Sequence, residues 1–314
     1  MYFPFLRGKQ FELIALREIS DFMGDNKSKV SPIIEPVKDS STLKSTLKAL
    51  ATKDINFNVI INPTVGDLID RPSQIIKILE EVLEHYSNFQ AAIIIAETNN
   101  ASNVLQLLKN SKLQCKGITF IHYATRESIS KILEVVSTEH TIINNVIHFS
   151  KTGKRYYREF DSATSVSLDD YFSGQDRNSD YLQVPDSSFS EEHLYFKEDG
   201  YKGFADYLTI GEDYSDTGFL PRAVAIHLSY LTADNKIRIK HFVSDSNEDT
   251  TDIGGKFEEA LTKLVDWVDA NNRTSQAIEI FKELNRNGHF PGLGTLKKLS
   301  AMNHIELVVN SFEE

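Results

Sequence analysis

The stretch Ala91 to His122, AAIIIAETNNASNVLQLLKNSKLQCKGITFIH, decides the architecture. It opens on an unbroken apolar run, Ala91–Ala96. An amphipathic segment follows at Ala101–Leu108, and a second apolar run, GITFIH, closes it at Gly117–His122. Short continuous apolar runs are what strands become when both faces of their sheet are covered, and a helix between two of them makes a parallel crossover unit.

Outward from this unit the same alternation repeats. Upstream, the expected strands are Tyr2–Leu6, Ser31–Val37 (SPIIEPV) and Asn58–Asn62 (NVIIN). The helices between them are expected over Gln10–Met23, Ser41–Ala51 with capping serines, and Ser73–Tyr86 behind the first-turn Pro72. Downstream, a helix is expected across Arg126–Ser137, then strands at Asn145–Phe149, Thr164–Asp169 and Asp206–Gly211. Eight strands favour closure into a (β/α)8 barrel, while a doubly wound open sheet stays as the alternative because Thr164–Asp169 is weakly marked.

Beyond the eighth strand, Arg222–Tyr230 and Lys236–Val243 read as a β-hairpin turning at Ala233-Asp234-Asn235. Helices follow over Asp252–Asn271, Thr274–Asn287 and Leu293–Ser311. The reading is therefore a barrel over residues 1–273, with a lid loop at 170–205 and the hairpin at 222–243. A helical extension at 274–314 packs on the barrel. The lid is a long polar segment, and long loops in compact domains serve as lids or binding loops.

Composition bounds the function. The chain has 314 residues, 40% of them hydrophobic, and a formal charge of −11. That acidity argues against a protein that coats nucleic acid backbone. Cys115 is the sole cysteine, so no intrachain disulfide forms, and it precedes a strand, a poor place for a nucleophile. With neither a leader pattern nor a long apolar span, a cytoplasmic location is expected. No CxxC, HExxH, GxSxG or phosphate-loop motif is present, and GLGTLKK at Gly292–Lys298 reads as a helix start.

In a barrel, the active site lies where the strands end at their C-terminal tips. Those tips carry Arg7 and Lys9, Glu35, Asn62, Glu97, His122, His148, Asp169 with Asp170, and Glu212 with Asp213. Strand ends turn polar in any α/β protein, so each residue singly could be a solvated cap. Converging carboxylates repel unless a cation stands among them. Arg7 and Lys9 could be that cation, or a divalent ion could, in which case Glu35, Glu97, Asp169 and Asp213 are the expected ligands for Mg or Mn. Arg7, Lys9 and Asn62 would hold a phosphate-containing ligand, and Glu35, Glu97, His122 and Asp213 would be the catalytic set. A metal-free route would use His122 or His148 as base. His227, on an alternating strand, is expected to be structural.

Several stretches together resemble a family of bacterial and phage proteins known as "beta protein". They are MYFPFLRGKQFELIALRE, SPIIEPV, QDRNSDYL (Gln175–Leu182), SFSEEHLYF (Ser188–Phe196), GFADYLTIGEDYSDTGFLPRAVAIHLSYL (Gly203–Leu231), GGKFEEALTKLV and GHFPGLGTLKKLSAMNHIEL. The resemblance implies a barrel and a setting among mobile elements and phage defence, and it carries no activity. It marks Arg177, Asn178, Asp180, Tyr181, Ser190 and His193 as signature residues. As lid groups, Arg177, Asn178, Tyr181 and His193 would touch substrate.

Two functions compete at this stage. One is a metal-assisted hydrolase of a nucleotide or nucleic acid phosphoester. The other is a non-catalytic recognition subunit, working with a partner encoded nearby or as a homo-oligomer.

Overall fold

The computed structural model describes residues 1–96, 101–124, 141–153, 155–215 and 220–312. In chain order the elements begin with β1 (Tyr2–Leu6), α1 (Gln10–Glu18), α2 (Ser20–Asp25), β2 (Ile33–Ile34), α3 (Ser41–Thr52), β3 (Phe57–Ile60) and α4 (Pro72–Val82). Next come β4 (Phe89–Ile95), α5 (Ala101–Lys109), β5 (Gly117–His122), β6 (Ile142–His148), α6 (Phe149–Thr152) and β7 (Ser165–Asp169). The remainder is β8 (Asp186–Ser190), α7 (Glu192–Tyr195), β9 (Gly203–Asp206), β10 (Ala225–Leu231), β11 (Ile237–Val243), α8 (Ile253–Ala270), α9 (Gln276–Asn287) and α10 (Leu293–Asn310). The helix expected at Arg126–Ser137 lies outside the described residues.

The chain divides into two compact units, residues 1–170 with 192–206, and residues 171–191 with 207–314. In the first, β1 to β7 and β9 form a closed, wholly parallel eight-stranded barrel with helices between strands. Closure joins Tyr2, Phe3 and Pro4 of β1 to Phe204, Ala205 and Asp206 of β9. The eighth barrel strand is therefore Gly203–Asp206, shifted back from the expected Asp206–Gly211. Leu208, at φ +55°, stands in a turn that ends the run. Gly203 is required where it stands, because a Cβ there would run into the Met1 carbonyl oxygen.

In the second unit the expected hairpin is real but incomplete. Strands β10 and β11 pair antiparallel, and β8 adds to the free side of β11, giving the order β10-β11-β8. The long polar segment thus contributes a strand, although DSSFS carries no apolar run to announce one. Alternation puts Ser187, Phe189, Ile239, His241, His227 and Ser229 on one face of this sheet. Asn303 of α10 donates to the Ser229 carbonyl at 2.9 Å, and His304 of α10 meets the Phe189 ring. On the other face, Trp267 of α8 packs on Tyr230 and Phe242. No helix among the described residues is long and apolar enough to cross a membrane.

Candidate functional site at the barrel mouth

A hydrogen-bonded trio defines which face of each barrel strand points inward. Asn58 of β3 accepts from Thr119 of β5 at 2.6 Å and from Asn144 of β6 at 3.2 Å, and Asn144 also donates to Thr119 at 2.8 Å. Strands β3 and β6 are not neighbours, so these groups meet through the interior. Barrel interiors are ordinarily filled by branched apolar side chains, which makes this polar layer unusual. Gln90, in register with Asn58, belongs to the same layer. Its buried Oε1 has no hydrogen-bond partner among the described residues. An unsatisfied buried carbonyl costs about 1–3 kcal/mol. Gln90→Met is accordingly expected to leave stability unchanged or raise it by about 1 kcal/mol, read from urea denaturation midpoints.

Counting by twos toward the C-terminal ends places Glu35, Asn62 and His148 on the inner face, with Arg7 beyond Phe3 and Phe5. Arg7, expected to hold phosphate, and Glu35, expected to hold a metal, are paired with each other at short range. Arg7 Nη1 donates to Glu35 Oε2, and both residues are buried. The other oxygen of Glu35 accepts from the Thr64 backbone N–H at 2.6 Å and the Thr64 hydroxyl at 2.9 Å. Thr64, just past Asn62-Pro63, went unnoticed because threonine after proline reads as ordinary turn chemistry. Gly8 lets the loop close: its φ is +63°, and a Cβ would lie 2.6 Å from the Glu35 carbonyl oxygen.

This arrangement makes Glu35 the anchor of Arg7. Truncating one partner of a buried ion pair strands the other charge, at a cost of about 3–5 kcal/mol. Glu35→Ala should lower stability by that amount, whereas the double change Arg7→Met, Glu35→Leu recovers most of it. Equal losses in both variants, measured by chemical denaturation, would mean that packing and not the stranded charge sets the cost.

Asn62 pairs with backbone. Its side chain donates to the Ile94 carbonyl and accepts from the Ile94 N–H, both at 2.8 Å, so it extends the β3–β4 ladder by one rung. Lys9 is half-buried at the start of α1. His122 is a correction. Parity puts it on the outer face of β5, fully buried, with Nε2 3.1 Å from Asn145 Oδ1 and Nδ1 3.1 Å from the Tyr156 hydroxyl. Burial lowers its pKa to about 4, so the ring is neutral and enclosed, away from the mouth.

His148 ends β6 on the inner face, 1% exposed, with the Tyr123 ring edge-on at 5.4 Å. Its Nδ1 lies 3.7 Å from Asp169 Oδ1 at the end of β7. Asp169 is fixed in turn: the Ser150 hydroxyl reaches its two oxygens at 2.8 and 2.7 Å, and the Asp170 N–H donates to Oδ1 at 3.0 Å. Lys151 sits over the Tyr123 ring at 4.3 Å, and Phe149 is 43% exposed beside it in sequence. Basic, aromatic and acid–base groups therefore share this side of the mouth.

The remaining expected site residues are distributed as follows. Glu97 lies outside the described residues. Asp213 is exposed and belongs to the second unit, with Arg177, Asn178 and Tyr181. Asn178 donates to the Ala223 carbonyl at 2.8 Å, the Arg177 backbone N–H donates to Asp180 at 3.2 Å, and Tyr181 is buried against His227 and His241. These are bracing contacts within the second unit. His193 is buried in α7 of the barrel unit. Among the described residues no three His, Cys, Asp or Glu side chains group as a metal ion would require.

A closed parallel eight-stranded barrel with its polar tips at one end defines the class: a TIM-like barrel protein. No protein-family model, no curated protein and no solved structure matches the chain. The resemblance to the "beta protein" family thus gains nothing from these comparisons.

Proposed function

We propose that the barrel unit is a hydrolase of a small phosphate-containing substrate, with His148 moving the proton at the mouth. The observation that carries this reading is the His148–Asp169 pair, held by Ser150. An imidazole inside the mouth, with a fixed carboxylate 3.7 Å from its Nδ1 and just beyond hydrogen-bond reach, would present Nε2 to a bound substrate as general acid or base once the two close up. Separations of this size are common before a substrate draws such groups together. Arg7, aimed by Glu35, and Lys151 supply positive charge for a phosphoryl oxygen. The strongly acidic whole favours a small ester over a polynucleotide.

A metal-assisted version with Mg or Mn would need Glu35 to exchange Arg7 and Thr64 for the ion. The discriminating experiment uses p-nitrophenyl phosphate and bis(p-nitrophenyl) phosphate, each with EDTA or with added Mg²⁺ or Mn²⁺. Turnover that survives EDTA and collapses in His148→Asn is expected. Turnover only with the metal would transfer the chemistry to the carboxylates. No turnover in either arm would sink hydrolysis, and the non-catalytic recognition role with a separately encoded partner would take its place.

A further inference from the structure

In the second unit, three side chains on one face of the sheet form a continuous chain of hydrogen bonds. Ser187 Oγ lies 3.0 Å from His241 Nε2, and His241 Nδ1 lies 2.8 Å from His227 Nδ1. Two neutral imidazoles can share that short contact in only one sense if Ser187 is to donate. His241 must carry its proton on Nδ1 and give it to the lone pair of His227, leaving Nε2 to accept from the serine hydroxyl. The register requires neighbouring strands to hold all three, since His227 is paired with His241 and Ser187 with Ile239.

We propose that Ser187 is a nucleophile of a second, serine-type acyl-transfer site, with His241 as its base and His227 orienting His241. A hydroxyl bonded to an imidazole that is itself held by a third group is the arrangement that activates serine on otherwise unrelated folds. The ring of His241 is further fixed by Tyr181, whose tilted ring lies against it at 4.5 Å and also touches His227 at 4.6 Å. Burial lowers the pKa of His241 to about 4, and Asp186, the residue before the nucleophile, pulls it the other way. Asp186 is itself bonded to Tyr230 and Arg238, with Lys240 at 3.7 Å. The opposing charges are Lys240, acting on His241, and Lys297, acting on His227.

Access and charge stabilisation come from the place of β8 in the sheet. It is an outer strand with β11 as its single sheet neighbour among the described residues, and Ser187 is half-buried where His241 is buried. The His241 N–H donates to the Pro185 carbonyl at 3.0 Å. Antiparallel alternation then turns the main chain of Ser187 toward β11 and the N–H of the exposed Ser188 away from it. The donor following the nucleophile is thus directed to the side of β8 away from β11, where an oxyanion can be met. An ester or amide presented in extended form along that edge is the substrate class that fits.

The chemistry closes. Ser187 Oγ bonds to the acyl carbon while its proton passes to His241 Nε2. The bond to the leaving alcohol or amine breaks and that group takes the proton. Water then repeats the sequence, releasing the acid and restoring the serine.

A fluorophosphonate probe applied to the full chain tests this directly. The serine oxygen displaces fluoride from phosphorus, and the adduct is located by peptide mass spectrometry. A phosphonyl adduct on Ser187 is expected, absent in Ser187→Ala and slowed at least about 100-fold in His241→Asn. His227→Asn should shift the pH profile of labelling, which a merely structural histidine would not do. No adduct at Ser187 in the unaltered chain, or labelling of a different serine, overturns the proposal whether or not the histidine variants fold.

Discussion

On the proposed hydrolase function, replacing His148 by asparagine is expected to lower kcat on a phosphoester about 10²–10⁴-fold, the usual worth of a positioned general acid or base. Asparagine keeps a polar group near Asp169 but cannot cycle a proton, so binding should survive while turnover does not. The flanking residues divide the effect into parts. Ser150→Ala frees the Asp169 carboxylate and is expected to lower kcat less than the histidine change does, because it loosens the orienting group without removing the proton carrier. His122→Asn, on the outer face of β5, should alter stability and leave the pH profile of any activity alone. If His122→Asn abolished turnover while His148→Asn did not, the inner and outer faces of the barrel would have been exchanged in this reading.

Acid is expected to unfold the second unit early. Burial is the first cause that lowers the pKa of His227, to about 3, with His241 and Lys297 adding to it. Burial likewise lowers His241 to about 4, against the pull of Asp186. An unfolded chain binds these protons near pH 6.5, whereas the folded one refuses them until the lower values are reached. Above pH 6.5 both states are neutral and the histidines contribute no pH dependence. As pH falls from 6.5 toward 4, the unfolded state gains protons that the native state lacks, and stability drops by about 1.4 kcal/mol per pH unit for each histidine. Two facing nitrogens 2.8 Å apart cannot both carry protons, so once one ring is charged the pair resists the second proton. The measurement is a set of denaturant midpoints from pH 7.5 to 4.5. His227→Phe should flatten the slope, and a slope unchanged by that substitution would assign the acid sensitivity to other groups.

Much of the barrel could be read from the chain because parallel strands buried on both faces leave continuous apolar runs. Tyr2–Leu6 and Gly117–His122 have the bounds their composition suggests. The eighth strand slipped because DYLTIG has a better apolar pattern than GFAD, yet pairing with β1 and the left-handed Leu208 decide the matter. Strand β8 was invisible for the opposite reason. Its serines contribute main-chain hydrogen bonds to β11, and side-chain composition does not record those.

The site was legible as a ring of strand ends and illegible in its parity. Whether a polar residue at a strand tip faces the lumen depends on a shift of one position, which the ladder sets and composition cannot. His122 and His148 look alike in sequence and end on opposite faces. Nor could the sequence show that Glu35 is committed to Arg7 and Thr64, since that depends on how Gly8 folds the loop against it. The interior trio had a signal that was passed over: Asn58, Thr119 and Asn144 are polar residues inside or beside apolar runs, where a purely hydrophobic lumen would have had valine or isoleucine.

The two units are interleaved along the polypeptide, since residues 192–206 return to the barrel after 171–191 have left it. A growing chain on the ribosome therefore cannot close the ring until residue 206 has emerged, with seven strands already waiting on an unsealed seam. Its closing partner, β1, was made some two hundred residues before, so ring closure is the step most exposed to aggregation. Any attempt to express the barrel alone has to replace 171–191 with a short linker, because a simple cut after residue 170 removes its last stave.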